Sequence, residues 1–531
     1  MCTLPLHEMR RELRCGLLDI CLKLGVGISK SGARYTWMMD TRELVLTQPY
    51  LQIVGKMLWE RLKKYSPEIV GGMTLAADPI VAAILCEAHR DNCELKGFLI
   101  RKHRKTDGLR KQIEGPRISS GARLILIDDI LNSGKTQREA LRLLAPLNPT
   151  ILAVATILNA EKMGDRWLRE KKLPLESLFS LRELGIVSSS PSSPNAARII
   201  WKWGPLNEGA HSAPHSRPFV TRDRIVVGSD RGFVVCLRTD GRELWRFSTR
   251  TCRQGVHSSP MVRNDRVWIG AYDGFVYCRS LADGKRIWER RVGQWIGSSP
   301  ALDSAARYLY IGTEFASGQG GLIALNAETG ALLWERKFPN FVHSAPSIDV
   351  KHGAVLVGCN DGNCYSVDAL SGQIRWQFHT NGEVKAGPVV DDVGTCYFCS
   401  FDGSIYAVNA SGKQLWSKRI GRRAHFRPLL SDSFVIAAGS SGRILSIDRA
   451  TGKTAWCATT GGGIVGGAAV SDDGKIIVGS TDGSVYLFDE SQGEHIWSTR
   501  TGGPITAEPG LFGRLAVLPS RDGFLYCIEI R

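Results

Sequence analysis

Apolar positions follow two different periods along this chain. Up to about residue 186, short continuous apolar runs alternate with stretches of helical period. PEIVGG (67–72), GFLIRK (97–102), RLILID (123–128) and TILAVATIL (150–158) read as buried strands. PIVAAILCEAH (79–89) and QREALRLLA (137–145) lie between them and read as helices. That alternation predicts a parallel α/β sheet with helices packed on it. SSSPSSPN (188–195) then breaks the pattern as a short Ser/Pro-rich linker. The expected organisation is an α/β domain over 1–186, a linker over 187–197 and a second domain over 198–531.

The second domain is repetitive. Trp245, Trp288, Trp334, Trp376, Trp416, Trp456 and Trp497 follow one another at spacings of 43, 46, 42, 40, 40 and 41 residues. A Gly-containing turn precedes each, and a second turn recurs as in YDGFVY (272–277), FDGSIY (401–406) and RDGFLY (521–526). A third marker opens each unit: HSAP (211–214), HSSP (257–260), GSSP (297–300), HSAP (343–346), KAGP (385–388), HFRP (425–428), VGGA (465–468) and TAEP (506–509). Each unit supplies four short strands that cannot bury both faces alone. Radial stacking of eight such units predicts an all-β eight-bladed propeller. The last unit lacks its own Trp strand, so RIIWKW (198–203), with Trp201, is expected to complete it and close the ring.

Composition narrows the class. With 43% apolar and 23% charged residues the chain resembles ordinary globular proteins. No apolar run approaches the roughly 20 residues of a membrane span, and the charged N-terminus lacks a signal-peptide core, so a cytoplasmic protein without a membrane partner is expected. The 14 cysteines are expected to be reduced, mostly in the core, without zinc spacing. The formal charge is +16, and the first 200 residues hold 31 Lys+Arg against 21 Asp+Glu. A basic first third fits a polyanionic ligand. Direct nucleic-acid binding would rest on that charge alone, because nothing places base-reading side chains.

The chemistry concentrates in RLILIDDILNSGKT (123–136), a strand that ends on Asp128 and Asp129 before a small-residue loop and a helix. Amides of such a loop and helix start hold a phosphate. Paired carboxylates accept sugar hydroxyls, and magnesium would offset their repulsion. No GxxxxGK Walker pattern precedes the helix. The stretch resembles the phosphoribosyl-pyrophosphate motif of type I phosphoribosyltransferases. That resemblance implies that Asp128 and Asp129 hold the ribose diol and magnesium, and that Asn132, Ser133, Gly134, Lys135 and Thr136 surround the 5′-phosphate. VGGMTLAADPIVAA (70–83) resembles the pyrophosphate loop of orotate phosphoribosyltransferases, which marks Gly72. ISKSGARYTWMMD (28–40) resembles their early segment, which places Lys30 or its neighbours facing pyrophosphate and Trp37 near the base. GFLIRKHRKTDGLRKQIEG (97–115) resembles their mobile basic loop, with Arg101, Lys102 and Lys105 as catalytic cations. The resemblance spans about residues 14–186 and implies a homodimer, because the family's loop reaches a neighbouring subunit's site.

Departures from the family bear on the acceptor. The loop histidine falls at Asp107, with His103 nearby, and the second glycine of the phosphate loop is Lys135, which adds charge but removes backbone freedom. The arginine that holds the orotate carboxylate falls at Ala160, within ILNAEKMG (157–164). A buried carboxylate without that partner is costly, so an acceptor other than orotate is expected. The second domain resembles the quinoprotein-type repeat, xDGxxYxxdxxtGxxxW. The vicinal cysteine pair of quinone-dependent dehydrogenases is absent, so no quinone cofactor is expected and a protein partner is. His211, His257, His343 and His425 occupy like marker positions and would either converge as a metal or anion site or cap their own turns. Two readings remain: a phosphoribosyltransferase with a partner-binding propeller, and a non-enzymatic nucleotide sensor on a protein-interaction scaffold.

Overall fold

The computed structural model describes residues 4–28, 34–102, 112–186, 191–193, 195–207, 216–250, 255–421 and 423–531, with backbone only at 24–28 and 34–37. The chain divides into two compact units at Val187/Ser188. In the first unit α1 (Leu6–Gly16) leads to the antiparallel pair β1 (Leu22–Ile28) and β2 (Arg34–Met39). Then follow α2 (Thr41–Val45), α3 (Tyr50–Leu62), β3 (Ile69–Met73), α4 (Ala77–Arg90), β4 (Lys96–Ile100), β5 (Ile113–Glu114), β6 (Arg123–Leu131), α5 (Lys135–Leu144), β7 (Thr150–Asn159), α6 (Met163–Glu170) and β8 (Leu175–Ser180).

The main sheet runs β5-β4-β3-β6-β7-β8, parallel except for the edge strand β5. Ile69, Phe98, Ile100, Leu124, Leu126 and Val154 are buried in its core. Gly71 and Gly72 let β3 fit between its neighbours. A Cβ at Gly71 would lie 2.1 Å from the Phe98 carbonyl oxygen, and one at Gly72 would lie 1.9 Å from that of Ile127. The chain passes from β3 through α4 to β4 on one side and later places β6 on the other. The strand order therefore reverses between β3 and β6, and a crevice opens beyond the carboxyl ends of strands at such a point.

The second unit is a closed ring of eight four-stranded antiparallel blades. Seven are continuous in sequence, as in Phe219–Val220, Arg224–Ser229, Phe233–Arg238 and Glu243–Ser248. The eighth takes its outer strand from β9 (Ala197–Trp203), which pairs antiparallel with Leu525–Ile530, as the missing Trp strand predicts. Trp245 Nε1 donates to the Leu281 carbonyl at 2.8 Å, Trp334 Nε1 to Ala369 at 3.0 Å and Trp416 Nε1 to Arg449 at 2.8 Å, so each indole ties its blade to the next. The turn glycine before the next Trp lies under that ring. Gly330, with φ +74°, has room for a Cβ only 2.7 Å from Trp288. In the second turn Tyr406 donates to Asp402 at 2.7 Å and Tyr486 to Asp482 at 2.6 Å, which accounts for the DGxxY spacing.

Two expectations need correction. The marker of the first blade falls on Ser216–Pro218, within HSRP (215–218), rather than on HSAP at 211–214. Pro218 directly precedes Phe219–Val220. Ser216 Oγ accepts from Gly228 N at 3.0 Å as Ser258 does from Gly270 and Ser344 does from Gly358, at 3.1 and 2.8 Å. By sequence spacing His215, not His211, then matches the other histidines, and both lie outside the described residues. The twelve described cysteines are free, but Cys86 and Cys93 are exposed rather than in the core. Cys396 and Cys399 form a C-x-x-C run in the sequence. Both are buried, and three positions apart on one strand puts them on opposite faces.

Candidate functional site

The acidic pair projects where β6 loses a neighbour. β3 pairs with β6 only as far as Gly71↔Leu126, while β6 continues to Leu131 against β7. Asp128 and Asp129 therefore sit within the strand, not at its last residues as the sequence suggested. Opposite faces of a strand make them unequal. Asp128 is 5% exposed; its Oδ2 accepts from Gln137 Nε2 at 2.6 Å and its Oδ1 from the Asp129 amide at 2.9 Å. Asp129 is half-buried and accepts from Thr41 Oγ1 at 2.6 Å and from the Ile130 amide at 2.8 Å. Burial, then the neighbouring Asp129 charge, pushes the Asp128 carboxyl up to about 8, against the pull of Lys102.

The loop after β6 reaches α5 through one left-handed residue, Gly134, at φ +76°. Gly134 is buried, whereas Asn132, Ser133, Lys135 and Thr136 are exposed. Lys135 already occupies the first helical position, and its φ is not positive. The expected loss of backbone freedom there therefore costs nothing, because the loop's left-handed turn falls on Gly134. α6 closes on this loop: the Gly164 amide donates to the Asn132 carbonyl at 2.9 Å, and a Cβ on Gly164 would come within 2.8 Å of the Gly134 nitrogen. Amides at the start of α5, a ten-residue helix, present partial positive charge to the crevice.

Arg101 and Lys102 are exposed just past β4, on the same sheet edge, and Arg101 Nε pairs with Glu114 at 2.9 Å. Asp78, in the first turn of α4, is raised by burial against the pull of Arg101, and its shielded Oδ1 has no hydrogen-bond partner among the described residues. Gly72 is buried inside β3, where strand packing accounts for it. Ala160 follows β7 and is buried, its amide donating to Leu131. Lys30, His103, Lys105 and Asp107 lie outside the described residues, and the side chain of Trp37 is not described. The structure thus gathers the aspartates, the 132–136 loop and the end of β4 along one edge. Sequence reasoning missed Thr41, Gln137 and Gly164. Gln137 left a signal, because it shares a helical stripe with buried Ala140 and Leu144.

In the propeller His257 Nε2 lies 3.3 Å from Asp230, His343 Nδ1 lies 3.0 Å from Glu314, and His425 packs on Phe401. Among the described residues no group of three His, Cys, Asp or Glu is placed to hold a metal. No helix among them is long and apolar enough to cross a membrane.

Comparison with known proteins agrees with this division. Residues 43–178 match the family described as phosphoribosyl transferase domain. Residues 192–314 match outer membrane protein assembly factor BamB, and residues 315–531 match the β-propeller of beta-alanine-activating enzyme. An orotate phosphoribosyltransferase of Corynebacterium glutamicum (strain R) is 28% identical over 179 residues, which is 34% of this chain and 95% of the relative. The one of Tropheryma whipplei (strain Twist) is 31% identical over 164 residues, 31% of this chain and 76% of the relative. The crystal structure of BamB from Moraxella catarrhalis aligns with a TM-score of 0.50 at 18% identity, over 63% of this chain and 98% of that one, which shows the fold alone. Through its first unit the chain belongs to the orotate phosphoribosyltransferase family, and it carries an eight-bladed propeller of the quinoprotein type behind that unit.

Proposed function

We propose that the first unit binds phosphoribosyl pyrophosphate with magnesium and transfers the phosphoribosyl group to a base other than orotate. The observation that carries this reading is the placement of Asp128 and Asp129 at the switch point, beside the Gly134 turn and the start of α5. Asp129 faces out with a spare lone pair on each oxygen and suits the ribose diol. The exposed amides and side chains of 132–136 suit the 5′-phosphate. The donor set also fits magnesium. Both groups are hard oxygen donors, and a divalent cation would offset the burial and repulsion that oppose the Asp128 charge. Among the described residues no further acid or histidine completes a cage, so substrate oxygens and water would supply the other ligands. Held by Asp128 and Asp129, magnesium would supply positive charge to the phosphate oxygens.

The protein's own residues then act mainly electrostatically. Pyrophosphate leaves as an anion, and Arg101 and Lys102, with Lys105 by resemblance, offer cations as that charge develops. Thr41 and Gln137 hold the carboxylates in place. Ala160 is short and uncharged, so it offers no partner to an orotate carboxylate. Ala160 is also the observation that favours a second reading, in which the unit senses the nucleotide without turning it over. In either reading the unit acts as a homodimer and the propeller docks a protein partner. The test is release of pyrophosphate from phosphoribosyl pyrophosphate across a panel of bases. Turnover is expected with a base that lacks the carboxylate. Ready turnover of orotate overturns the substrate assignment, and silence across the panel with intact binding favours the sensor.

A further inference from the structure

The opening marker of each blade places its third residue on the wall of the central channel. With the register the structure gives, those residues are Arg217, Ser259, Ser299, Ala345, Gly387, Arg427, Gly467 and Glu508. Five are small, as close packing of neighbouring inner strands demands: a Cβ on Gly387 would meet the Ala345 carbonyl oxygen at 2.7 Å. Three are large and charged, and the fold does not need them. All three line one cavity of about 820 Å³ together with Val390, Leu430 and Phe512, a volume within the usual range for small-molecule pockets of about 300–1,000 Å³. Gly467 makes room for one of them, since a Cβ there would fall 2.6 Å from the Glu508 side chain.

A fourth charged side chain, the exposed Asp472, also lines the cavity, so the four lining charges sum to zero but are not all paired. Arg217 Nη1 pairs with Glu508 Oε1 at 2.6 Å. Arg427 is left over: among the described residues it has no ion pair, and its Nε is shut off from solvent without a hydrogen-bond partner. Burial and the nearby Arg217 both oppose its charge, with only the already-paired Glu508 pulling the other way. A guanidinium held in this state is costly unless an anion joins it. We infer that the propeller channel is a binding site for a small monocarboxylate with an apolar body, whose carboxylate meets Arg427. One unpaired guanidinium in a cavity that also holds the Glu508 and Asp472 carboxylates suits a monoanion better than a phosphate dianion. The apolar side chains around it suit a hydrocarbon or aromatic body, and a planar guanidinium matches a carboxylate in two parallel hydrogen bonds.

Calorimetric titration of the full chain with benzoate, benzamide and inorganic phosphate tests this. Benzoate should bind saturably below about 10 mM, and the binding of benzamide and phosphate that depends on Arg427 should be at least about tenfold weaker. Arg427→Met should lose benzoate binding and unfold at or above the wild-type temperature, because it removes an unpaired charge. Glu508→Gln, which frees Arg217, should tighten benzoate binding. The inference is overturned if benzoate does not bind, if Arg427→Met keeps the benzoate affinity, or if benzamide or phosphate binding that Arg427→Met abolishes is as tight as benzoate binding. Weaker binding by Glu508→Gln overturns it too, and serves where Arg427→Met does not fold.

Discussion

Replacing Asp128 with Asn should stabilise the first unit, and more so as pH rises. In the folded protein burial and the Asp129 charge push the Asp128 carboxyl up to about 8, whereas in the unfolded chain it titrates near 4. For an acid raised on folding, the folded state keeps a proton that the unfolded state has lost, so stability falls as pH climbs from about 4 to about 8. Taken at full value the loss by pH 7 is on the order of 4 kcal/mol; sharing of the proton with Asp129 reduces it, so roughly 2–4 kcal/mol is the working range. Asn cannot ionise. Its oxygen still accepts from the Asp129 amide, and its NH2 donates to Gln137 once that amide turns over. Native-state hydrogen exchange on peptides from β6 and β7, at pH 5 and pH 8, reads the effect inside this unit. The protection gained by Asp128→Asn should be larger at pH 8. Equal protection differences at both pH values, or a loss at pH 8, would refute the reasoning.

Deleting 197–203 should lower the unfolding temperature of the whole propeller, because it strips the outer strand from the eighth blade and leaves Leu525–Ile530 as an open edge; melting like the intact protein would contradict closure by β9. Gly330→Ala should destabilise the propeller by about 1–3 kcal/mol in denaturant unfolding, since it adds a left-handed Cβ 2.7 Å from the Trp288 ring. An unchanged midpoint would mean that the indole has room to shift.

The repeat was legible because the same contacts recur from blade to blade. Six turn glycines lie under the previous blade's indole, and in five blades an aspartate accepts from the tyrosine four residues on, so fixed spacings mark the chain. The open last blade was legible for the same reason, as a missing tryptophan. The register of the first marker was not, because HSAP and HSRP stand in tandem over 211–218 and only the strand that follows decides between them. In the first unit the α/β alternation and the acidic pair could be read locally. The inequality of Asp128 and Asp129 could not: it depends on which face of β6 each occupies, on Gln137 from the next helix and on Thr41 from 88 residues away. Gly72 carried a phosphate-loop signature in sequence, yet contact with β6 already demands it. Strand packing and ligand approach select the same residue there. Lys135 looked like a loss of backbone freedom only because sequence does not show where the left-handed turn falls.

Titration of phosphoribosyl pyrophosphate into the protein in magnesium, with the wild type beside the Asp128→Asn, Asp129→Asn double variant, tests the central claim most directly. Hydrogen bonds to charged acceptors contribute on the order of 1.5–3 kcal/mol each, so the wild type should bind and the double variant should bind at least about tenfold more weakly, with its fold intact by circular dichroism. Equal affinity in a folded double variant would contradict the assignment of this crevice to phosphoribosyl pyrophosphate.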